Sequence, residues 1–191
     1  METILKTKNL TKRFRKKIAV DSVNMEIKKG DIYGFIGKNG AGKTTLIRTV
    51  AGLAAPTSGS IELFGSKDLN KGRKKMGAVI ESPALYPYFT ARQNLEFQKK
   101  LLGNDKNIDI DELLNIVGLK DTGRKKAKEF SLGMKQRLAI AIALVGNPEF
   151  LILDEPINGL DPAGVKDVRD MILHLNKNLG ITVLISSHIL E

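Results

Sequence analysis

The segment Gly37 to Thr44, GKNGAGKT, constrains the fold of this chain more than any other. It matches G-x-x-x-x-G-K-[ST] in the setting that pattern requires, with an apolar run, Ile32 to Ile36, before it and a helical pattern from about Lys43 to Leu53 after it. A random chain of this size would match the bare pattern about once in a hundred, so a Gly-rich turn carrying a solvated lysine is the weaker explanation. The composition has a mechanism. Gly37, Gly40 and Gly42 let backbone N–H groups curl round phosphate oxygens, and the helix N-terminus adds its positive dipole end. Lys43 is placed to reach the β and γ phosphates and the Thr44 hydroxyl to join a Mg²⁺ shell, while Lys38, Asn39, Ala41 and Thr45 complete the phosphate-binding stretch.

A phosphate loop needs a holder for its metal and, if it hydrolyses anything, a base. Phe150 to Leu153 is an unbroken apolar run of the kind that fills a central parallel strand, and it ends in Asp154-Glu155. In open α/β sheets such strand ends face the ligand. Asp154 is then expected to hold Mg²⁺ through water, and Glu155 to accept a proton from the attacking water. Taken alone, the pair ahead of Pro156 would read as turn carboxylates; beside a phosphate loop the catalytic reading takes precedence.

The rest of the chain fills in an α/β; P-loop NTPase core with mostly parallel sheet. Residues Ile4 to Ile36 alternate, with Val23, Met25 and Ile27 on one face and a turn at Lys29-Gly30-Asp31, which predicts an N-terminal antiparallel β subdomain leading into the strand Ile32 to Ile36. Pro56 to Gly59 breaks the chain, and strands are expected at Ile61 to Phe64 and Ala78 to Ile80. From Ser82 to Asn147 strand signals give way to helix signals: a Thr90/Gln93 capping box, Asp109 or Asp111 capping a helix that stops at Gly118, and Ser131 capping a helix that runs through the apolar Leu138 to Val145. That stretch reads as an inserted α-helical subdomain, residues 82–147, set into a nucleotide-binding core of residues 1–81 and 148–191. Beyond it come a helix capped by Asp161, with Pro162 first and Gly180 at its end, and a last strand, Ile181 to Ser186.

Composition excludes several classes. The chain lacks cysteine, so disulfides, thiolate catalysis and Cys-based zinc sites are out, and two histidines cannot build a His-rich metal site. Leu138 to Val145 is the longest apolar run, far short of the roughly 18 residues a membrane span needs, and METILKTKNL has no apolar h-region; the expectation is a soluble, unsecreted chain. With 31 Lys and Arg against 21 Asp and Glu, the net charge of +10 favours anionic partners without choosing among nucleotide, nucleic acid and an acidic membrane surface. Aromatics make up 5% and are not interleaved with the basic runs, which argues against single-stranded nucleic acid.

With the phosphate loop and Asp154-Glu155 in place, the chain resembles the ATP-binding domain of an ABC (ATP-binding cassette) transporter, over essentially its whole length. Phe130-Ser131-Leu132-Gly133-Met134 stands where that family carries its L-S-G-G-Q signature, Asn158-Gly159-Leu160-Asp161 matches the D-loop, and His188 matches the switch histidine. Phe14 sits where an aromatic stacks on adenine, and Glu81 falls at the Q-loop. The resemblance implies ATP and Mg²⁺ as ligands, with Lys43, Glu155 and His188 catalytic, Glu81 touching the metal beside Thr44 and Asp154, and Ser131 and Gly133 completing the site of a second copy in a head-to-tail dimer. Read on their own, Ser131 and Asp161 are plain helix caps. Leu132 and Met134 depart from the signature, and Glu81 replaces a Gln, so a neutral donor and acceptor becomes a charge.

The resemblance further implies an ATP-hydrolysing subunit at the cytoplasmic face of the cell membrane, driving a separate integral membrane permease through the helical subdomain. Glu81, the segment 82–86 and the FSLGM variant of the signature resemble subunits that export bacitracin-like or antimicrobial peptides. The family domain is expected to continue past Glu191. The rival readings are a soluble ABC ATPase acting on ribosome or nucleic acid, disfavoured because such chains pair two domains or insert a long coiled coil, and a nucleotide sensor without turnover, disfavoured by the presence of Glu155.

Overall fold

Phe150, Leu151, Ile152 and Leu153 are all fully buried, and the strand they form, with Asp154 as its last residue, sits between two hydrophobic clusters. Because side chains alternate along a strand, Phe150 and Ile152 face one cluster and Leu151 and Leu153 the other. The structure, a computed structural model, describes residues 2–82, 84–103 and 108–188; Pro83, within the segment 82–86 singled out in the sequence, and residues 189–191 lie outside them.

In chain order the elements are β1 (Thr3–Phe14), β2 (Lys17–Lys28), β3 (Ile32–Ile36), α1 (Lys43–Ala51), β4 (Ser58–Leu63), α2 (Leu69–Arg73), β5 (Met76–Val79), α3 (Ala91–Leu101), α4 (Ile110–Ile116), α5 (Leu132–Leu144), β6 (Phe150–Asp154), α6 (Pro162–Leu179) and β7 (Thr182–Ser187). They make an antiparallel sheet, β2-β1-β4, and a parallel sheet, β3-β7-β6-β5. The expected mixture of parallel core, antiparallel N-terminal sheet and inserted helices is present. No strand runs between β5 and β6 among the described residues; α3, α4 and α5 occupy that interval.

The two sheets divide the core. Ile4, Leu5 and Ile27 of the antiparallel sheet pack with Leu46 and Ile47 of α1 and with Phe150, Ile152 and Leu184. On the opposite face, Leu95, Leu113, Leu138, Ile140, Val168 and Leu175 of the helices pack against Leu151, Leu153 and Val183. The near-continuous apolarity of α5 is explained by its surroundings, since it touches β5, α3, α4 and α6.

Several boundaries differ from the sequence expectation. The helix α1 stops at Ala51 rather than Leu53, because the N–H of Gly52 turns back onto the carbonyls of Arg48 and Thr49. Asp109, not Asp111, caps α4, accepting from the N–H groups of Asp111 and Glu112. Ser58 and Gly59, read as part of a break, already belong to β4, where Ser58 pairs with Thr11. Among the other caps, Thr90 and Gln93 form the capping box of α3, Ser131 caps α5 and Asp161 caps α6.

Candidate functional site

The strand β3 delivers the chain to the phosphate loop, and the N–H of Gly37 donates to the Ser187 carbonyl at the end of β7 (3.1 Å). The loop then turns into α1 at Gly42, whose φ of +92° is left-handed and whose missing side chain leaves room for the Ala19 carbonyl of β2. A Cβ there would lie 2.0 Å from that oxygen. Only glycine permits both the turn and the approach.

Lys43, the first residue of α1, is 6% exposed, and all three of its ammonium protons have acceptors: the carbonyls of Gly37 (2.5 Å) and Lys38 (3.2 Å), and Glu155 Oε1 (3.2 Å). One residue on, the Thr44 hydroxyl donates to Asp154 Oδ2 (2.8 Å). The other Asp154 oxygen accepts from the Ser186 hydroxyl of β7 (2.5 Å), and that same hydroxyl oxygen accepts from the Glu155 N–H (3.0 Å). Each oxygen of this buried carboxylate thereby has a hydroxyl donor.

Glu155 follows β6 directly and has a left-handed φ of +52°, which turns its side chain toward α1 and β7. His188 Nδ1 lies 2.6 Å from its second oxygen. Burial alone would raise the Glu155 pKa, but the hydrogen bonds from His188 and Lys43, and their charges, outweigh it and hold the carboxyl below its ordinary value. Glu155 is thus kept as an anion and a proton acceptor, between a fixed cation and an imidazole.

A cleft of about 380 Å³ opens over these groups, lined by Phe14, Lys17, Ala19, Asn39, Gly40, Gly42, Lys43, Thr44, Thr45 and Glu155. Its members from the loop and from Glu155 were all expected. Phe14, half exposed at the turn between β1 and β2, brings an aromatic face to the rim, with Lys12 Nζ 4.9 Å from its ring centroid. Lys17 and Ala19 were not foreseen; they reach the cleft through the register of the β1–β2 pairing, which the local sequence does not specify. A larger, mainly apolar cleft of about 440 Å³ between β3 and α6, lined by Ile36, Ile157, Arg169 and Leu173 among others, contains none of the expected site residues.

Three expected residues stand apart from this cluster. Ser131 Oγ accepts from the Met134 N–H as the cap of α5, and Gly133 faces Leu160 and Gly164. Neither lines the cleft. Glu81, expected beside the metal, has its carboxylate 2.9 Å from an Arg48 guanidinium nitrogen on α1.

The family described as ABC transporter matches residues 20–158, which include the loop, Ser131, Gly133, Asp154 and Glu155. The chain belongs to that family. The bacitracin transport ATP-binding protein BcrA of Bacillus licheniformis is 52% identical over 194 residues, covering 100% of this chain and 63% of that protein. The lantibiotic transport ATP-binding protein SrtF of Streptococcus pyogenes is 46% identical over 188 residues, covering 98% of this chain and 81% of that protein. The chain therefore spans less than two thirds of the length of BcrA. Among solved structures, the dimeric post-hydrolysis state of the ATP-binding cassette MJ0796, bound to ADP and Pi, matches with a TM-score of 0.83 at 29% identity, over 97% of this chain and 88% of that one. The fold described above is the fold of ABC cassettes.

Proposed function

We propose that this chain binds and hydrolyses ATP as the nucleotide-binding subunit of an ABC transporter. The observation that carries the reading is Glu155, held as an anion between Lys43 and His188 at the mouth of a phosphate loop. The loop N–H groups and Lys43 would bind the β and γ phosphates, with Phe14 against the base and Asn39 and Thr45 at the flanks of the cleft. Glu155 would take the proton of the attacking water, and His188 would hold that carboxylate in line while offering its ring to the γ-phosphate side.

Thr44 and Asp154 fit a Mg²⁺ site, because a hydroxyl and a carboxylate already in contact are oxygen donors of the kind that cation takes, with water and phosphate oxygens filling the remainder. When bound, the ion would supply charge neutralisation on the phosphate oxygens.

The wider assembly follows from the same reading. Residues 1–81 and 148–191 form the ATP-binding core, residues 82–147 the helical unit that docks an integral membrane permease, and Ser131 and Gly133 serve the site of a second copy. Support for the dimer comes from the dimeric MJ0796 cassette with ADP and Pi. The names of BcrA and SrtF, bacitracin and lantibiotic transport ATP-binding proteins, support a peptide antibiotic as cargo; export, and a place at the cytoplasmic face of the membrane, are part of the same proposal. No helix among the described residues is long and apolar enough to cross a membrane. Single-turnover ATP hydrolysis with Glu155→Gln tests the central step: loss of a positioned base should slow it by about 10²- to 10⁴-fold while ATP binding persists. Wild-type turnover in that variant would remove the base assignment.

A further inference from the structure

The parallel pairing of β5 with β6 places Val79 opposite Leu153. Two residues further along each strand stand Glu81 and Glu155, so the two carboxylates leave the sheet at equivalent positions. Both have the left-handed backbone that side chains other than glycine seldom adopt, with φ of +62° and +52°. Both also turn to the same helix. Glu155 meets Lys43 at the start of α1 (3.2 Å), and Glu81 meets Arg48, five residues along it (2.9 Å).

The helix that begins at the phosphate loop is therefore tied to two adjacent strand ends by two ion pairs, with the Thr44–Asp154 hydrogen bond between them. The inner pair is largely buried. The outer one is about half exposed, and its weakness matters, because an exposed pair can open and close at little cost. Glu81 is also the last residue before the chain enters the segment leading to α3. A left-handed residue at such a point sets the direction in which the following backbone departs, and a strained φ persists only where its surroundings hold it.

We propose that Arg48 is a positioning residue: by holding Glu81 against α1 it fixes the exit of the helical unit from β5 and latches that unit to the phosphate-loop helix. A change in the position of α1 on nucleotide binding then reaches the helical unit through this pair, and a pull on the helical unit reaches the phosphate loop the same way. The coupling to nucleotide rests on the reading of residues 37–44 as a nucleotide site; the latch itself does not.

Amide hydrogen exchange over residues 76–90 tests the latch in the protein without nucleotide, using Arg48→Gln, Glu81→Gln, the double variant and the conservative Arg48→Lys. An exposed ion pair supports a change of roughly two- to fivefold. Exchange should rise by about that factor in each single variant, rise no further in the double, and return toward wild type in Arg48→Lys. Protection of α5 serves as the control for intact folding. Unchanged exchange in both Gln variants, or additive effects in the double, would overturn the latch. In a second arm, Mg-ATP is added. Altered exchange at residues 37–44 together with a response at 76–90 that Arg48→Gln abolishes supports the coupling. A 76–90 response that survives in Arg48→Gln refutes it. No change at 37–44 in wild type would count against the nucleotide site itself, leaving the first arm to judge the latch.

Discussion

Three glycines of the phosphate loop should respond to alanine in a graded way that the backbone dictates. Gly42 is left-handed at φ +92°, and a Cβ there would meet the Ala19 carbonyl oxygen at 2.0 Å. Gly40 is left-handed too, at φ +80°, but a Cβ there would meet nothing within 4 Å. Gly37 has no left-handed backbone, and its added methyl would touch Ala41 Cβ at an ordinary 3.5 Å. A left-handed alanine costs about 1–2 kcal/mol, and forcing an atom into occupied space about 1–3 kcal/mol more. Gly42→Ala should then lose about 2–5 kcal/mol and Gly40→Ala about 1–2 kcal/mol, while Gly37→Ala should stay within about 0.5 kcal/mol of the parent or gain slightly from a stiffer unfolded chain. At roughly 2–4 °C per kcal/mol for a chain of this size, the melting points should separate clearly. Thermal unfolding without nucleotide keeps ligand linkage out of the comparison. Equal losses in Gly40→Ala and Gly42→Ala would refute the argument that contact between the loop and β2 confines residue 42.

Other outcomes depend on the site's hydrogen bonds and charges. Because the Glu155 carboxyl is held below its ordinary value, its contribution to stability is present above the unfolded pKa, near 4.5, and is lost as pH falls through the lower folded value; urea unfolding across that range should show a shallower acid limb in Glu155→Gln. Thr44→Val removes a donor to the buried Asp154 and should cost about 1.5–3 kcal/mol in the same assay, whereas Thr45→Val, with no such bond to Asp154, should cost less. Ser131→Arg should leave the monomer folded, since only one cap bond is lost, and should prevent ATP-dependent dimerisation of Glu155→Gln in sedimentation.

The features legible in the sequence were those whose signal is local. The phosphate loop is a contiguous pattern, β6 a contiguous apolar run, and the caps at Thr90, Ser131 and Asp161 sit next to the helices they start. What could not be read depends on pairing at a distance or on brevity. The strands β1 and β2 run for twelve residues each, but register shifts and left-handed residues at Asn9 and Ser22 interrupt the alternation that would reveal their length. The five-residue helix α2 is too short to show a helical period; its Asp68 cap, accepting from Lys71, was the only cue. Ser186, which bridges Asp154 and the Glu155 N–H, stands 32 residues from the aspartate it serves. Arg48 looked like any surface cation on α1 until β5 brought Glu81 to it.

A strand with Phe150 and Ile152 in one apolar cluster and Leu151 and Leu153 in the other is a wall common to two rooms. Neither the antiparallel sheet with α1 nor the helical layer can loosen without exposing one side of that wall, and Asp154 and Glu155 stand at its end. Calorimetry should therefore show both clusters melting together, and an Ile152→Ala or Leu151→Ala substitution, on opposite faces, should disturb the carboxylates alike. The carboxylate end of β6 is in this sense a gauge of the interior, registering damage from either side.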